Sequence, residues 1–514
     1  MDKLSTTPRS SSRRAWANLT TVVLVLLVLP YLWHRTHNPT TFLPKLHSTA
    51  SSSNKCSQYF AHLVASDPAI DIAHHELPSA MASLRIFAHC YLDNDQLPLP
   101  PGLEAKIIPF LQPQLPHHFT RNGSALLREV PPHALIWRTF RTQMKGKGIV
   151  IGCDRNDQLA LIIALLNVLD ALGNELPIQI VHSVDVPHDE VHAAATNLNQ
   201  QVWFVNASSV TKQPLSIRTV ATIINSFEEM IYMDPASVPL VAPAMLFDTQ
   251  RYVDTGLLFF KDKKEVPSYL ARSYKGLYTS LLPTSEEKAI FGTRQLASIW
   301  NKISTTHKNG THSPQHEVSI FESNFRSVVS DGLFVINRSE HFMGLIIGAA
   351  LELWGKNHSH QPKELLWLGH VISGGISPAS VAKSFNYYYS AIPGTIATNK
   401  LSLSVCGSTQ FHFSDEDQEV ESPTALWASG LLQQAQLDEL EGSIIPSDYP
   451  FRDATNDNNL SCIFIAKSSN EDTYKYSGVK QAQRRSQRLI KFTPEELAHF
   501  RHVMHAWASH EHVM

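Results

Sequence analysis

The chain has 514 residues, 43% of them hydrophobic, which is ample for one large or two ordinary domains with real cores and excludes a disordered or fibrous protein. Its 43 basic residues face 46 acidic ones, a formal net charge of −3, so there is no global electrostatic case for a nucleic-acid partner.

The first element in the chain is a membrane candidate. Residues 15–33, AWANLTTVVLVLLVLPYLW, carry no charge and at helical rise are long enough to cross a bilayer, with Trp16, Tyr31 and Trp33 placed as interfacial anchors. Lys3, Arg9, Arg13 and Arg14 precede it, which predicts a cytosolic tail over residues 1–14 and a luminal remainder. A cleaved leader would have a shorter apolar run and a small-residue cleavage site, so an uncleaved signal-anchor of a type II protein is expected. Acceptor sequons at Asn122, Asn206, Asn309, Asn337, Asn357 and Asn459 agree with a luminal chain. The cysteines, at positions 56, 90, 153, 406 and 462, have no metal-ligand spacing. In an oxidising lumen they predict one or two disulfides and at least one thiol left over.

Residues 34–55 are rich in Ser, Thr and Pro and read as a flexible stem. Residues 56–146 suggest helices with Pro-rich interruptions. From Lys147 the pattern sharpens. GIVIG (148–152) is a short apolar strand, the following DQLALIIALLNVLDAL is a helix stopped at Gly173-Asn174, and LPIQIVH (176–182) is a second strand. QVWFV (201–205), a helix SIRTVATIINSF (216–227) and EMIYM (229–233) continue the alternation, which implies right-handed βαβ units and a parallel, doubly wound sheet. TGLLFF (255–260) and GLFVIN (332–337) add strand candidates, and SEHFMGLIIGAALELW (339–354) is a helix with Ser339 as its expected N-cap. There is no Walker or G-x-G-x-x-G phosphate loop.

One residue stands out on this map. Asp234 ends the EMIYM strand and precedes Pro235. Two readings stay open: an acid that starts a turn, or an acid at the carboxyl end of a parallel strand, where open α/β sheets gather ligands. Asp154, at the end of the first strand, has the same position and the same choice between loop solvation and a nucleoside contact.

The blocks KGIVIG, LPIQI, INSFEEMIYMDPASVPLVAPAMLF, TGLLFFKD, GLFVINRSEHF, PKELLWLG, CGSTQFHF and ALWASGLL occur in the order and approximate spacing of the fungal Golgi α-mannosyltransferases related to the α-1,3-mannosyltransferases that cap mannan and O-glycans. Over about residues 130–435 the chain resembles that family. The resemblance implies an α/β, GT-A-like, Rossmann-type mixed sheet flanked by helices, with the transferase domain over 147–435 and a C-terminal extension over 436–514. It implies GDP-mannose as donor, a mannose-terminated glycan as acceptor, Mn²⁺ held by an Asp-x-Asp at a strand end, and membership of a Golgi mannosyltransferase complex. A hard cation there prefers carboxylate oxygens and neutralises a departing diphosphate.

Carried onto this chain, the resemblance makes Asp234 a donor-site and metal acid, with His412 as a second metal contact. It places Arg218, where the family often has Lys, toward the donor diphosphate. Lys363 and Glu364 fall near the reacting sugar, and Trp367 becomes a stacking wall for the acceptor. Structural alternatives accompany these: a buried histidine at 412, a solvated helix charge at 218, a helix-dipole glutamate at 364 and a core tryptophan at 367. The chain also departs from the family. The Asp-x-Asp is Asp234-Pro235-Ala236, an expected acid downstream is Pro362, and Ser429 replaces the Asn of a Trp-x-Asn-Gly block. These departures raise a second expectation, a non-catalytic glycan-binding or assembly subunit.

Overall fold

In a computed structural model of the chain, the residues described are 55–61, 77–92, 97–110, 118–119, 143–183, 200–207, 215–260, 280–281, 283, 287, 329–330, 332–357, 365–373, 385–386, 390–391, 396–398, 402–407, 410–414, 424–429, 461–467, 474–476 and 494–508. The candidate anchor, residues 15–33, lies outside them. Among the described residues no helix is long and apolar enough to cross a membrane.

The runs of β-branched and apolar residues form an eight-stranded sheet because both of its faces are covered. Its strands are β1 (His118–Phe119), β2 (Lys147–Cys153), β3 (Ile178–His182), β4 (Val202–Asn206), β5 (Glu229–Met233), β7 (Leu257–Phe260), β8 (Leu333–Asn337) and β9 (Phe385–Asn386); β6 (Ser237–Pro239) belongs to a second sheet. The order across the main sheet is β1-β4-β3-β2-β5-β8-β7-β9. Strands β2 to β5 are mutually parallel, whereas β8 runs antiparallel to both β5 and β7. The sheet is therefore mixed, and the purely parallel arrangement that alternation alone suggests holds only for the run β4-β3-β2-β5.

Strand period 2 sorts the side chains into two cores. On one face Val150, Val181, Val205, Met230, Tyr232, Phe259 and Phe334 pack under the helices Leu77–Phe87, Ile217–Ile224, Arg338–Asn357 and Leu365–Ser373. On the other, Ile149, Ile151, Ile180, Phe204, Ile231, Met233 and Val335 pack under the helices Leu159–Ala171 and Pro494–Ala508. The last of these helices buries Phe500, Val503, Met504 and Trp507, so the chain beyond residue 435 returns to complete the layer beneath the sheet. The helices at 338–357 and 365–373 meet backbone to backbone: a Cβ on Gly369 would collide with the carbonyl of Gly344, a contact only glycine permits.

Two smaller antiparallel sheets follow. One is ordered β10 (Ser390–Ala391), β13 (Gln410–Phe413), β14 (Ala425–Ser429) and β6; the other β11 (Ile396–Thr398), β12 (Ser402–Gly407), β15 (Ser461–Lys467) and β16 (Tyr474–Tyr476). Cys56 and Cys90 are joined as a disulfide, tying the 55–61 segment to the end of the first helical stretch, and Cys153 is a buried free thiol. The 338–357 helix is capped by Asn337, not Ser339. Asn337 Oδ1 accepts from the amides of Ser339 (3.1 Å) and Glu340 (3.4 Å) and from Ser339 Oγ (2.8 Å), because an amide side chain at the strand end reaches the exposed first-turn N–H groups.

Candidate active site

After β2 the chain lays β3 and then β4 to one side; it then returns through the 217–224 helix to place β5 on the other side of β2. The reversal falls between β2 and β5, the kind of switch point whose carboxyl edge opens a ligand crevice. Ile151 pairs with Met233 across it, so Asp154 and Asp234 leave adjacent parallel strands at the same edge.

Asp234 satisfies both readings of its sequence position. Its Oδ1 accepts the Ala236 amide at 2.9 Å and its carbonyl accepts the Ser237 amide at 2.8 Å, so it builds the turn that carries β5 of the main sheet into β6 of the second. Its own amide donates to the Gly332 carbonyl at 2.7 Å, and the residue stays half-buried at the edge. Asp154 is exposed; its amide and that of Arg155 both donate to Gln158 Oε1, which opens the next helix.

Arg218 joins this edge through packing. A Cβ on Gly152 would stand 3.2 Å from Tyr232 Oη and 3.3 Å from Ile217 Cγ2, so the start of the 217–224 helix sits directly over the β2–β5 seam. A helix N-terminus there would ordinarily attract an anion. Here Glu352, reaching from the 338–357 helix, already occupies it: its carboxylate accepts from Ser216 N (2.6 Å), Ser216 Oγ (3.0 Å) and Thr219 Oγ1 (2.5 Å). The half-buried Arg218 lies in the first turn of this helix.

His412 lies in an aromatic stack on the second sheet. It is 2% exposed, lies parallel to Trp427 with ring centroids 4.0 Å apart, and meets Phe260 edge-on at 5.3 Å. Burial holds its pKa down to about 3, so the ring is neutral, and its Nε2 has no hydrogen-bond partner. Gly332 links the stack to Asp234: a Cβ there would strike Ser237 Oγ at 2.7 Å and the Trp427 ring at 2.8 Å, while its carbonyl accepts from Asp234 N and Ser237 Oγ.

Trp367 requires a correction. It is 1% exposed and sits in the core beneath the sheet, so its ring has no face to offer an acceptor sugar. A helix flanked on both sides by apolar residues, LLWLG, buries its tryptophan rather than presenting it. Lys363, Glu364 and Pro362 lie outside the described residues. Among those described, no group of three or more His, Cys, Asp or Glu side chains is arranged to hold a metal ion. The contributions of Glu352 and Gly332 were not visible in the sequence, because each acts through a partner roughly a hundred residues away; Trp427 carried a signal, as the tryptophan of the ALWASG block.

Residues 146–414, just over half of the chain, match the family described as "Mannosyltransferase putative". The chain belongs to this family. Among curated proteins it is 25% identical over 401 residues to Alpha-1,3-mannosyltransferase MNT3 of Saccharomyces cerevisiae, covering 67% of this chain and 62% of that protein. It is 26% identical over 261 residues to Alpha-1,3-mannosyltransferase MNT2 of the same yeast, covering 46% and 44%. The chain thus spans less than two thirds of the length of these relatives. Among solved structures, the core-mannan synthase A of Aspergillus fumigatus in its Mn/GDP form aligns over 53% of this chain and 82% of that one, at 10% identity and a TM-score of 0.23, a likeness too distant to carry an argument.

Proposed function

We propose that the protein is a mannosyltransferase that moves mannose from GDP-mannose to a mannose hydroxyl of a glycan, forming an α-1,3 linkage with retention, on a GT-A-like domain held in the Golgi lumen by residues 15–33. One observation carries the reading: in a chain of a mannosyltransferase family, Asp154 and Asp234 leave adjacent parallel strands at the carboxyl edge of the β2–β5 switch point, where the helix that carries Arg218 begins. The chemistry is consistent with a nucleoside-diphosphate sugar. The guanidinium of Arg218 suits diphosphate oxygens, and a fixed cation there would stabilise charge developing on the leaving group as the sugar C1–oxygen bond breaks and the acceptor oxygen bonds to C1. Carboxylates at the ends of rigid strands accept hydrogen bonds from ribose or sugar hydroxyls without reorganising.

The family resemblance also implies Mn²⁺, and here the described residues do not fit. At the strand end Asp234 is the single acid of the motif, one of its oxygens already accepts a backbone amide, and Ala236 presents a methyl group where a second carboxylate would ligate. The same substitution, together with Pro362, favours a second reading in which the chain binds a glycan or assembles with an active transferase in a Golgi complex without transferring sugar itself. The test is a transfer assay on the full chain in detergent, with GDP-mannose and a mannose-terminated acceptor, run with Mn²⁺ and with chelator. Product in either condition supports the transferase; donor binding without product supports the binding subunit; absence of both overturns the donor-site assignment.

A further inference from the structure

Strands β12 and β15 pair antiparallel without a bulge from Ser402 opposite Ala466 to Gly407 opposite Ser461, and within that ladder Cys406 stands directly opposite Cys462. Opposed residues of an antiparallel pair have Cα atoms about 4.5 or 5.5 Å apart, depending on whether they exchange hydrogen bonds. Both spacings fall inside the range of roughly 4.4–6.8 Å that a disulfide spans. We infer that Cys406 and Cys462 form a second disulfide, which fastens β15 and the β16 strand paired to it onto β12.

The cysteine inventory supports the pairing. Of the five cysteines, Cys56 and Cys90 are bonded to each other and Cys153 is a buried free thiol in the main sheet, leaving only these two. The Cys56–Cys90 bond is of the same kind, and the oxidising condition both need rests on the luminal placement proposed above. Formation balances as a thiol–disulfide exchange. A thiolate of one cysteine attacks the disulfide of an oxidised thiol oxidoreductase; the other cysteine then displaces the enzyme, and the two thiols lose two electrons and two protons while the oxidoreductase leaves as a dithiol. The bond would close a long loop, from residue 406 to residue 462, and so withdraw more freedom from the unfolded chain than a bond between near neighbours.

The experiment is peptide mapping of the full chain, purified without reductant from cells lysed in iodoacetamide and then alkylated again after denaturation. The expected result is a linked peptide pair containing Cys406 and Cys462, with Cys153 carrying the label. Labelled Cys406 and Cys462 without reduction, or Cys406 joined to a different cysteine, would overturn the assignment. Cys462→Ser should expose Cys406 to the label and leave Cys56 and Cys90 unlabelled. Cys406→Ser, Cys462→Ser and the double variant should all lower Tm by the same amount, roughly 5 °C; a double variant that loses the sum of two distinct single losses would count against a shared bond. Should the variants fail to fold, the map of the unaltered chain decides the matter alone.

Discussion

The two edges of the main sheet are built to opposite specifications. At the amino edge of the parallel strands, polar groups are consumed by one another. Arg338 is fully buried and donates to the carbonyls of Ile223, Asn225 (2.8 Å) and Phe227 (2.6 Å) and to Asn225 Oδ1 (2.8 Å), while Gln179 bonds the backbone and hydroxyl of Ser226. At the carboxyl edge, Asp154 is exposed, and Asp234 and Arg218 are half-buried. The difference is one of exposure: the amino edge buries polar groups against one another, whereas the carboxyl edge leaves Asp154 to water and Asp234 and Arg218 partly accessible. Burying a polar group is tolerated only when its bonds are made, so the buried part of the amino edge must be closed, while the Lys147–Glu229 pair at the same edge stays partly exposed. The carboxyl edge is under no such demand because water reaches it.

The sharpest way to break this contrast is at the closed edge. Arg338→Met keeps the apolar stem and removes the guanidinium, leaving buried carbonyls of residues 223, 225 and 227 without their donor. A loss of roughly 3–5 kcal/mol is expected, read as a fall in Tm of about 10 °C, with donor binding at the surviving folded protein changed little. A loss below about 1 kcal/mol would show that the edge is not closed by this cation.

Acid tests the buried histidines next. Burial holds His341 down to about 4 and His412 down to about 3, against an ordinary value near 6.5, so both are neutral in the folded protein. A depressed pKa means that the unfolded chain takes up the proton first. Stability is therefore fully present above about pH 6.5 and is lost as pH falls from there toward the folded values, at about 1.4 kcal/mol per pH unit for each ring. Denaturant unfolding at pH 7.5, 6.5 and 5.5 should show this slope, and His412→Asn should reduce it by one ring's share. An unchanged slope in that variant would remove His412 as a contributor.

At the open edge, Asp234→Asn preserves an oxygen for the Ala236 amide but removes the charge. Tm should move by no more than 1–2 °C, whereas affinity for GDP-mannose by titration should fall about tenfold, near 1.4 kcal/mol. A large stability loss with unchanged binding would make the residue a turn former alone. Ala236→Asp sharpens the same point, because it restores the second carboxylate and should tighten Mn²⁺ binding in the presence of GDP by an order of magnitude. The smallest effect belongs to Lys147, whose contact with Glu229 (3.3 Å) is partly exposed; Lys147→Ala should cost less than about 1 kcal/mol in thermal unfolding.

What the sequence disclosed follows from range. Strands β2 to β5 and their intervening helices were legible because local apolar period and length determine them, and Asp234 was legible because a lone acid interrupts an apolar run. The antiparallel insertion of β8 was not, since GLFVIN reads the same in either direction and its placement depends on β5 and β7. The choice at Trp367 between a stacking wall and a core residue was not legible, because a family block specifies a residue type without specifying which side of a helix is covered; the structure buries it. Glu352 carried no signal for a related reason: on its own helix it is one more acid, and it braces Ser216, the N-cap of another helix, only when the two are packed together.

The turn at Asp234-Pro235-Ala236 is also the hinge line of the architecture, since β5 ends in the main sheet and β6 begins in the second within that single step. An acid mounted there belongs to neither sheet alone. Its position is set by both sheets at once, so any shift of the His412–Trp427 sheet against the main sheet would displace its carboxylate. The residue would thus act as a strain gauge, registering the spacing of the two plates before any ligand arrives.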